Sequence, residues 1–308
     1  MAVRSAHFMR AMVAAGVGAA LVGAALTKAD ETQEDAPPSS TEPAAYNQPI
    51  SFRNDIEPVL MKLGCNTGSC HGNARGQEGF RLSLFGFDPS MDYVNLTREI
   101  GARRIDVSQP GNSLMLRKPT AKVAHGGGER LKESDRLYSV LKEWIAEGSP
   151  RDPPTLPTLA AIQIDPAESV LKADGATSQI RVTARYSDKS QRDVTHLTLF
   201  ESLNDASAAV SGEGLVTAKD PGEAFVMARF GIYTEVSQII VVKDEPFAMP
   251  DDIKPLNYID EAVHAKLAKM HIRPSAVASD EVFLRRVYVD ILGVLPTPAE
   301  YASFIGDA

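Results

Sequence analysis

The hydrophobic period changes twice along this chain, and that change limits what it can fold into. Phe52, Ile56, Val59, Leu60 and Leu63 recur at helix spacing, with Ser51 placed to cap the helix. Leu131, Leu137, Val140, Leu141, Trp144 and Ile145 give a second amphipathic helix, stopped by Gly148 and Pro150. Arg151 to Pro157, RDPPTLP, is a proline-rich linker. From Leu159 to Lys243 the period becomes that of strands: Ile162 with Ile164, then Ile180, Val182 and Ala184, then Phe225 and Met227, and a β-branched run from Ile239 to Val242. Turn signals at Asp174-Gly175, Ser187-Asp188, Gly212 to Gly214 and Pro221-Gly222 punctuate it, which predicts a β-sandwich. From about Asp252 the period is helical again, with stripes at Tyr258, Ile259, Val263, Leu267 and at Phe283, Leu284, Val287, Tyr288, Ile291. The expected fold is multidomain: a mainly α block at 50–151, an all-β sandwich at 158–244 and a partial α-helical domain at 252–308. Two or three helices bury little core alone, so the last block reads as the start of a longer domain and the chain as a fragment.

The N-terminus reads as an export signal. Arg4 and Arg10 precede an apolar run from Ala11 to Leu26, and Thr27-Lys28-Ala29 carries small residues where a signal peptidase cuts. The run is shorter than the ~20 residues of a membrane span. A signal peptide over residues 1–29 and an uncleaved anchor are the two readings, and both place the chain outside the cytoplasm, in the periplasm or at the cell surface. Residues 30–49, rich in Asp, Glu, Pro, Ser and Thr, read as a disordered linker. A formal net charge of -8 argues against a nucleic-acid partner, and two cysteines are too few for a disulfide scaffold.

Both cysteines lie in Cys65-Asn66-Thr67-Gly68-Ser69-Cys70-His71. A c-type haem is held by two cysteine thioethers, and a histidine directly after the second cysteine supplies the proximal nitrogen to iron. The usual signature has two residues between the cysteines. Here four intervene, so the extra residues are expected to loop out, eased by Gly68, while Gly72 keeps bulk away from the ring. Cys65 and Cys70 are thus candidates for covalent haem and His71 for the proximal ligand, with one haem c as cofactor. Two other readings compete: a disulfide between Cys65 and Cys70 in an oxidising compartment, and a zinc site, for which three ligands fall short of the usual four.

The sixth iron ligand is sought among Met61, Met91, Met115 and His125. Met61 reads as core. Met91 falls in a stretch without clear pattern, and Met115 reads as packing in a short helical turn. His125, opening His125-Gly126-Gly127-Gly128, is the preferred candidate, because the glycines allow close approach to a flat ligand. An iron with no sixth protein ligand is the remaining alternative.

Ile56-Glu57-Pro58-Val59-Leu60, Cys70-His71-Gly72, Gly79-Phe80-Arg81-Leu82-Ser83, Pro110-Gly111-Asn112-Ser113-Leu114 and Leu141-Lys142-Glu143-Trp144-Ile145 with Gly148 resemble the planctomycete-type cytochrome c family. The resemblance covers most of residues 50–150 and implies a cytochrome c-like haem domain. That family usually has Met-Pro-Pro before the last helix, supplying a distal Met; Ala124-His125-Gly126 stands there instead, which favours His125. Ile162-Gln163-Ile164-Asp165-Pro166, Asp193-Val194-Thr195 and Gly214-Leu215-Val216-Thr217-Ala218 with Pro221-Gly222 resemble group 2 bacterial Ig-like domains, which serve as spacers or binding modules. Phe283 to Asp290, Gly293 and Leu295-Pro296-Thr297-Pro298 resemble the opening of a planctomycete domain of unknown function. Arg286 and Asp290 there are spaced to pair. His196 reads as structural, and His264 and His271 show no metal spacing.

The sequence therefore points to an exported c-type cytochrome for electron transfer, with the Ig-like domain as spacer or docking module and an unidentified redox partner. Cell-surface or polysaccharide contact through the Ig-like domain is a further expectation. The alternative is a non-redox surface protein with a Cys65–Cys70 disulfide. An enzyme reading has no nucleophile elbow, phosphate loop or paired-carboxylate signature to rest on.

Overall fold

The computed structural model describes residues 49–101, 103–250 and 253–307. The export signal and most of the following linker lie outside the described residues. In the first block, Ser51 accepts from the Asn54 amide through its hydroxyl and starts a π-helical turn, Phe52–Ile56, that runs into α1 (Glu57–Lys62). Three more helices follow: α2 (Pro89–Thr97), α3 (Leu114–Arg117) and α4 (Arg136–Ala146). Phe52, Tyr93 and Trp144 meet at the centre, with ring centres 5.3 to 6.4 Å apart. Burying aromatic rings at such distances is a large share of what a small helical core has to offer. Leu131 is in this core but not in the helix expected to contain it: α4 starts only at Arg136, and Gly148 at φ 91° ends it.

Ten strands form the β-sandwich region. They are β1 (Leu159–Asp165), β2 (Glu168–Lys172), β3 (Thr177–Gln179), β4 (Arg181–Tyr186), β5 (Gln191–Asp193), β6 (Leu199–Ser202), β7 (Ala208–Val210), β8 (Leu215–Ala218), β9 (Gly222–Phe230) and β10 (Tyr233–Val242). They pair in the orders β1-β4-β5, β2-β10-β9-β6 and β3-β8-β7, with β2 parallel to β10 and every other pair antiparallel. Ile162, Ile164, Ile180, Val182 and Ala184 all face the core, as their alternation requires. In β9 the period is right and the phase is not. Ala224, Val226, Ala228 and Phe230 point inward, whereas Phe225 is 40% exposed. β9 lies between β10 and β6, and small inward residues leave room there for the facing layer. Large side chains misled the reading.

The proline-rich linker is docked. The Asp152 carboxylate accepts from the Phe52 and Arg53 amides, at 2.9 and 2.8 Å, and so caps the opening helical turn. Arg53 in turn donates to the Leu156 carbonyl. The helical block and the sandwich share an interface. Lys62 Nζ at the end of α1 donates to the His196 and Gly212 carbonyls, both at 2.7 Å. Arg192 pairs with Asp55 at 2.7 Å, and the Arg229 guanidinium lies 4.5 Å above the Phe85 ring.

Beyond the sandwich come α5 (Tyr258–Lys269), α6 (Asp280–Val287) with a π-helical turn at Tyr288–Leu292, and α7 (Pro298–Gly306). Their apolar stripes are largely exposed and only Leu284 is buried. Lys266 and Lys269 of α5 pair with Glu223 and Glu168 of the sandwich. Among the described residues no ion pair joins Arg286 and Asp290; Asp290 lies in the π-helical turn that follows α6. No helix among the described residues is long and apolar enough to cross a membrane.

Candidate functional site

The segment joining α1 to the rest of its block carries the cysteines. Gly64, at φ 75°, ends α1, and the Cys65 amide donates back to the Leu60 carbonyl at 2.8 Å. The Thr67 hydroxyl donates to the Gly64 carbonyl, and the His71 amide closes the loop on the Cys65 carbonyl at 2.9 Å. Of the four residues between the cysteines, Gly68 and Ser69 face solvent as expected, but Asn66 turns inward and is fully buried. Gly68 has no conformational need to be glycine; a Cβ there meets only Leu84, at 3.9 Å. The required glycine is Gly72. A Cβ there would lie 2.0 Å from the Asn66 carbonyl oxygen, so its job is to let the loop fold onto itself rather than to clear space beside a ligand.

The loop opens onto a cavity of about 850 Å³ whose lining includes Cys65, Cys70, His71, Met115 and His125. That volume lies within the range of small-molecule and cofactor sites. Both cysteines are free. Burial, the largest influence, pushes the Cys65 thiol up to about 12.

Both imidazoles line the cavity, and each has its Nδ1 on a backbone carbonyl. His71 Nδ1 lies 3.0 Å from the Phe80 carbonyl oxygen, and His125 Nδ1 lies 2.8 Å from that of Gly128. A carbonyl only accepts, so in the neutral ring each Nδ1 carries the proton and each Nε2 keeps its lone pair. Burial lowers the His71 pKa and favours that neutral form. The ring centres are 6.5 Å apart and the planes are within 10° of parallel. Gly127 permits this arrangement: a Cβ there would lie 3.0 Å from His125 Cε1 and 3.3 Å from Nε2. Met115 is the one sulfur candidate on the cavity wall. Met61 is core, 1% exposed, and Met91 sits in the first turn of α2, capped by Asp88. Among the described residues, no group of three or more His, Cys, Asp or Glu side chains is arranged to hold a bare metal ion.

His196 lies away from this cavity, and its Nε2 is buried without a hydrogen-bond partner among the described residues. It lies in a short 3-10 turn, its carbonyl receives Lys62, and burial lowers its pKa to about 4. His271 stacks on Phe247 at 5.0 Å, far along the chain from the cavity residues.

Sequence reasoning missed the polar groups beneath the loop. Asn66 Nδ2 donates to Glu57 Oε1 at 3.0 Å, and Asp92 accepts from the Ser83 amide and hydroxyl. Burial and the neighbouring Asp92 raise the Glu57 pKa well above the carboxylate range, and burial raises Asp92 as well. Gly86 makes room for this pair, since a Cβ there would lie 2.6 Å from Glu57 Oε1.

Comparison with known proteins identifies the two later parts of the chain. Residues 159–239 match the bacterial Ig-like domain (group 2), and residues 258–308 match a protein family of unknown function (DUF1549). The chain carries a group 2 Ig-like domain. This Ig-like sandwich lies between helical segments. Neither match reaches the block at 50–151, whose case rests on its own residues. No curated protein matches the chain. Solved structures that resemble the chain include the S-layer protein SbsC, domains 5-6, at 19% identity and a TM-score of 0.25, covering 30% of this chain and 48% of that one. Another is SbsC domains 4 and 5, at 17% identity and a TM-score of 0.23, covering 28% of this chain and 53% of that one. The similarity thus spans about half the length of those fragments.

Proposed function

We propose that the block at 50–151 binds one haem c, attached through Cys65 and Cys70, and that the chain is an exported electron-transfer protein. His71 and His125 would hold the iron through their Nε2 atoms. The observation that carries this reading is the imidazole pair on one cavity with both thiols. His71 and His125 both line the cavity, with ring centres 6.5 Å apart, and are the two imidazoles that would hold the iron of a bound haem. The Nδ1–H bonds to Phe80 and Gly128 are the outer hydrogen bonds that orient metal-binding histidines. A bare ion would have only this pair, whereas haem brings four ring nitrogens of its own. Bound there, the group supplies one-electron chemistry, with a potential set by its axial ligands and surroundings. The chain's part is to fix both ligand atoms and to keep the thiols unpaired. The Ig-like domain, joined to this block by Lys62 and Arg192, would hold it at a set orientation to a redox partner or the cell surface.

The test is a pyridine haemochrome spectrum of the full chain co-expressed with a haem attachment system. A c-type α-band that survives acid–organic extraction, and is lost in the double variant C65S/C70S, is the expected result. A colourless chain with a Cys65–Cys70 disulfide would overturn it in favour of a non-redox surface protein.

A further inference from the structure

Arg104 is buried, 7% exposed, on the wall of the same cavity. Burying a guanidinium is costly unless every donor is met. Here Nη1 donates to the Asn95 and Glu99 carbonyls, and Nη2 donates to the Gly79 carbonyl, each at 2.9 Å. Glu99 also pairs with Nη2 at 3.2 Å. The guanidinium lies 4.5 Å from the Phe80 ring centre, and that ring in turn lies 4.7 Å from the His71 ring.

These contacts converge on one short strap. Gln77 and Phe80 exchange backbone hydrogen bonds at 2.9 Å around Glu78 and Gly79, both at positive φ. An isolated turn of this kind has little to hold it in place. Arg104 grips it by the Gly79 carbonyl and by the Phe80 face, and Asn95 holds the Arg81 carbonyl at 3.1 Å. Gly76, beneath the strap, has no room for a side chain: a Cβ would lie 2.2 Å from the Phe80 oxygen. That oxygen is the acceptor that fixes the His71 tautomer.

We infer that Arg104 is a positioning residue for His71: by fixing the strap it holds the Phe80 carbonyl where it keeps the proton on Nδ1 and the lone pair on Nε2. The consequence for iron rests on the function proposed above; the tautomer does not. Arg103, exposed on the same cavity, has no side-chain hydrogen bond or ring contact to the strap among the described residues and serves as the charge control.

The experiment is nitrogen-15 NMR of the His71 ring in the full metal-free chain, for the wild type, R104Q, R104K and R103Q. The wild type and R103Q are expected to show a single Nδ1–H tautomer, and R104Q to lose it to a mixture. R104K keeps the charge without the planar fork and is expected to behave like R104Q. If R104Q does not fold, R104K decides. A folded Arg104 variant with the wild-type tautomer pattern would overturn the inference, whether or not the chain takes up haem. A colourless chain whose tautomer still depends on Arg104 would defeat only the haem reading. In the haem-loaded chain, R104Q should shift the low-spin electron paramagnetic resonance signal.

Discussion

The helical block and the Ig-like domain lie side by side in one chain but are stabilised in different ways. The sandwich buries Ile180, Val182, Val226, Phe230 and Ile239, and its backbone polar groups are met by strand ladders. Its buried polar side chains include the hydroxyls of Thr198, Ser207, Ser237 and Tyr186, and among the described residues it buries no Asp, Glu, Lys or Arg. The helical block buries Asp55, Glu57, Asp92 and Arg104. Much of its backbone is in loops; Asp55, Asp92 and Arg104 meet loop amides and carbonyls that no ladder reaches, and Glu57 accepts from the Asn66 side chain. The difference is instructive. Where strand ladders meet the backbone the core can be largely apolar, whereas a loop-rich block needs buried polar side chains to hold its loops.

The sharpest way to break this contrast is at the loop. Gly72→Ala places a Cβ against the Asn66 carbonyl and should cost roughly 4 kcal/mol or more, together with the cavity. Gly68→Ala, with open space, should be close to neutral. Chemical denaturation of both variants checks this, and equal midpoints would contradict the account of the loop.

The distal side separates in the same way. Gly127→Ala crowds His125 Nε2, whereas a Cβ on Gly126 meets nothing within 4 Å. Haem-loaded Gly127→Ala should lose its second nitrogen ligand, seen as loss of the low-spin spectrum, while Gly126→Ala keeps it.

Acid and base should act on the two regions in opposite directions. The folded-state pKa of Glu57 is raised. Above the ordinary carboxylate range the folded chain therefore holds a proton that the unfolded chain has lost, and stability falls as pH rises toward the raised value. Asp92 shifts the same way. His196 is lowered from 6.5 to about 4. The folded chain then binds fewer protons than the unfolded one, and stability falls as pH drops from about 6.5 to about 4. Glu57→Gln should flatten the first limb and His196→Gln the second, measured as melting temperature against pH.

The smallest effect is expected on the outer face of β9. Phe225→Ser should change stability by about 0.5 kcal/mol or less, against several for Val226→Ala on the inner face. A large loss at Phe225 would restore the strand phase that the sequence suggested.

The sandwich was legible because its alternation and its turn residues agree: Asp174 and Gly175 have φ of 80° and 85°, as their turn demands. Only the phase of β9 escaped, since side-chain size does not say which face has room. Of the candidate site, what residue type alone suggested was a grouping of Cys65, Cys70, His71 and His125, and the fold does bring these four to one cavity. The frame was not legible. Glu57, Asp92 and Arg104 look like solvated charges in sequence, and only packing between distant segments turns them inward. Asn66 and Gly72 escaped for a related reason: their roles exist only once the loop has closed on itself.

The central claim is that one haem lies between His71 and His125. Its most direct test is near-infrared magnetic circular dichroism of the haem-loaded full chain, in the wild type and in His125→Ala. The account predicts a charge-transfer band of two nitrogen ligands in the wild type and its loss in the variant. A sulfur-ligand band, which would assign Met115, or a two-nitrogen band that survives His125→Ala, would contradict it.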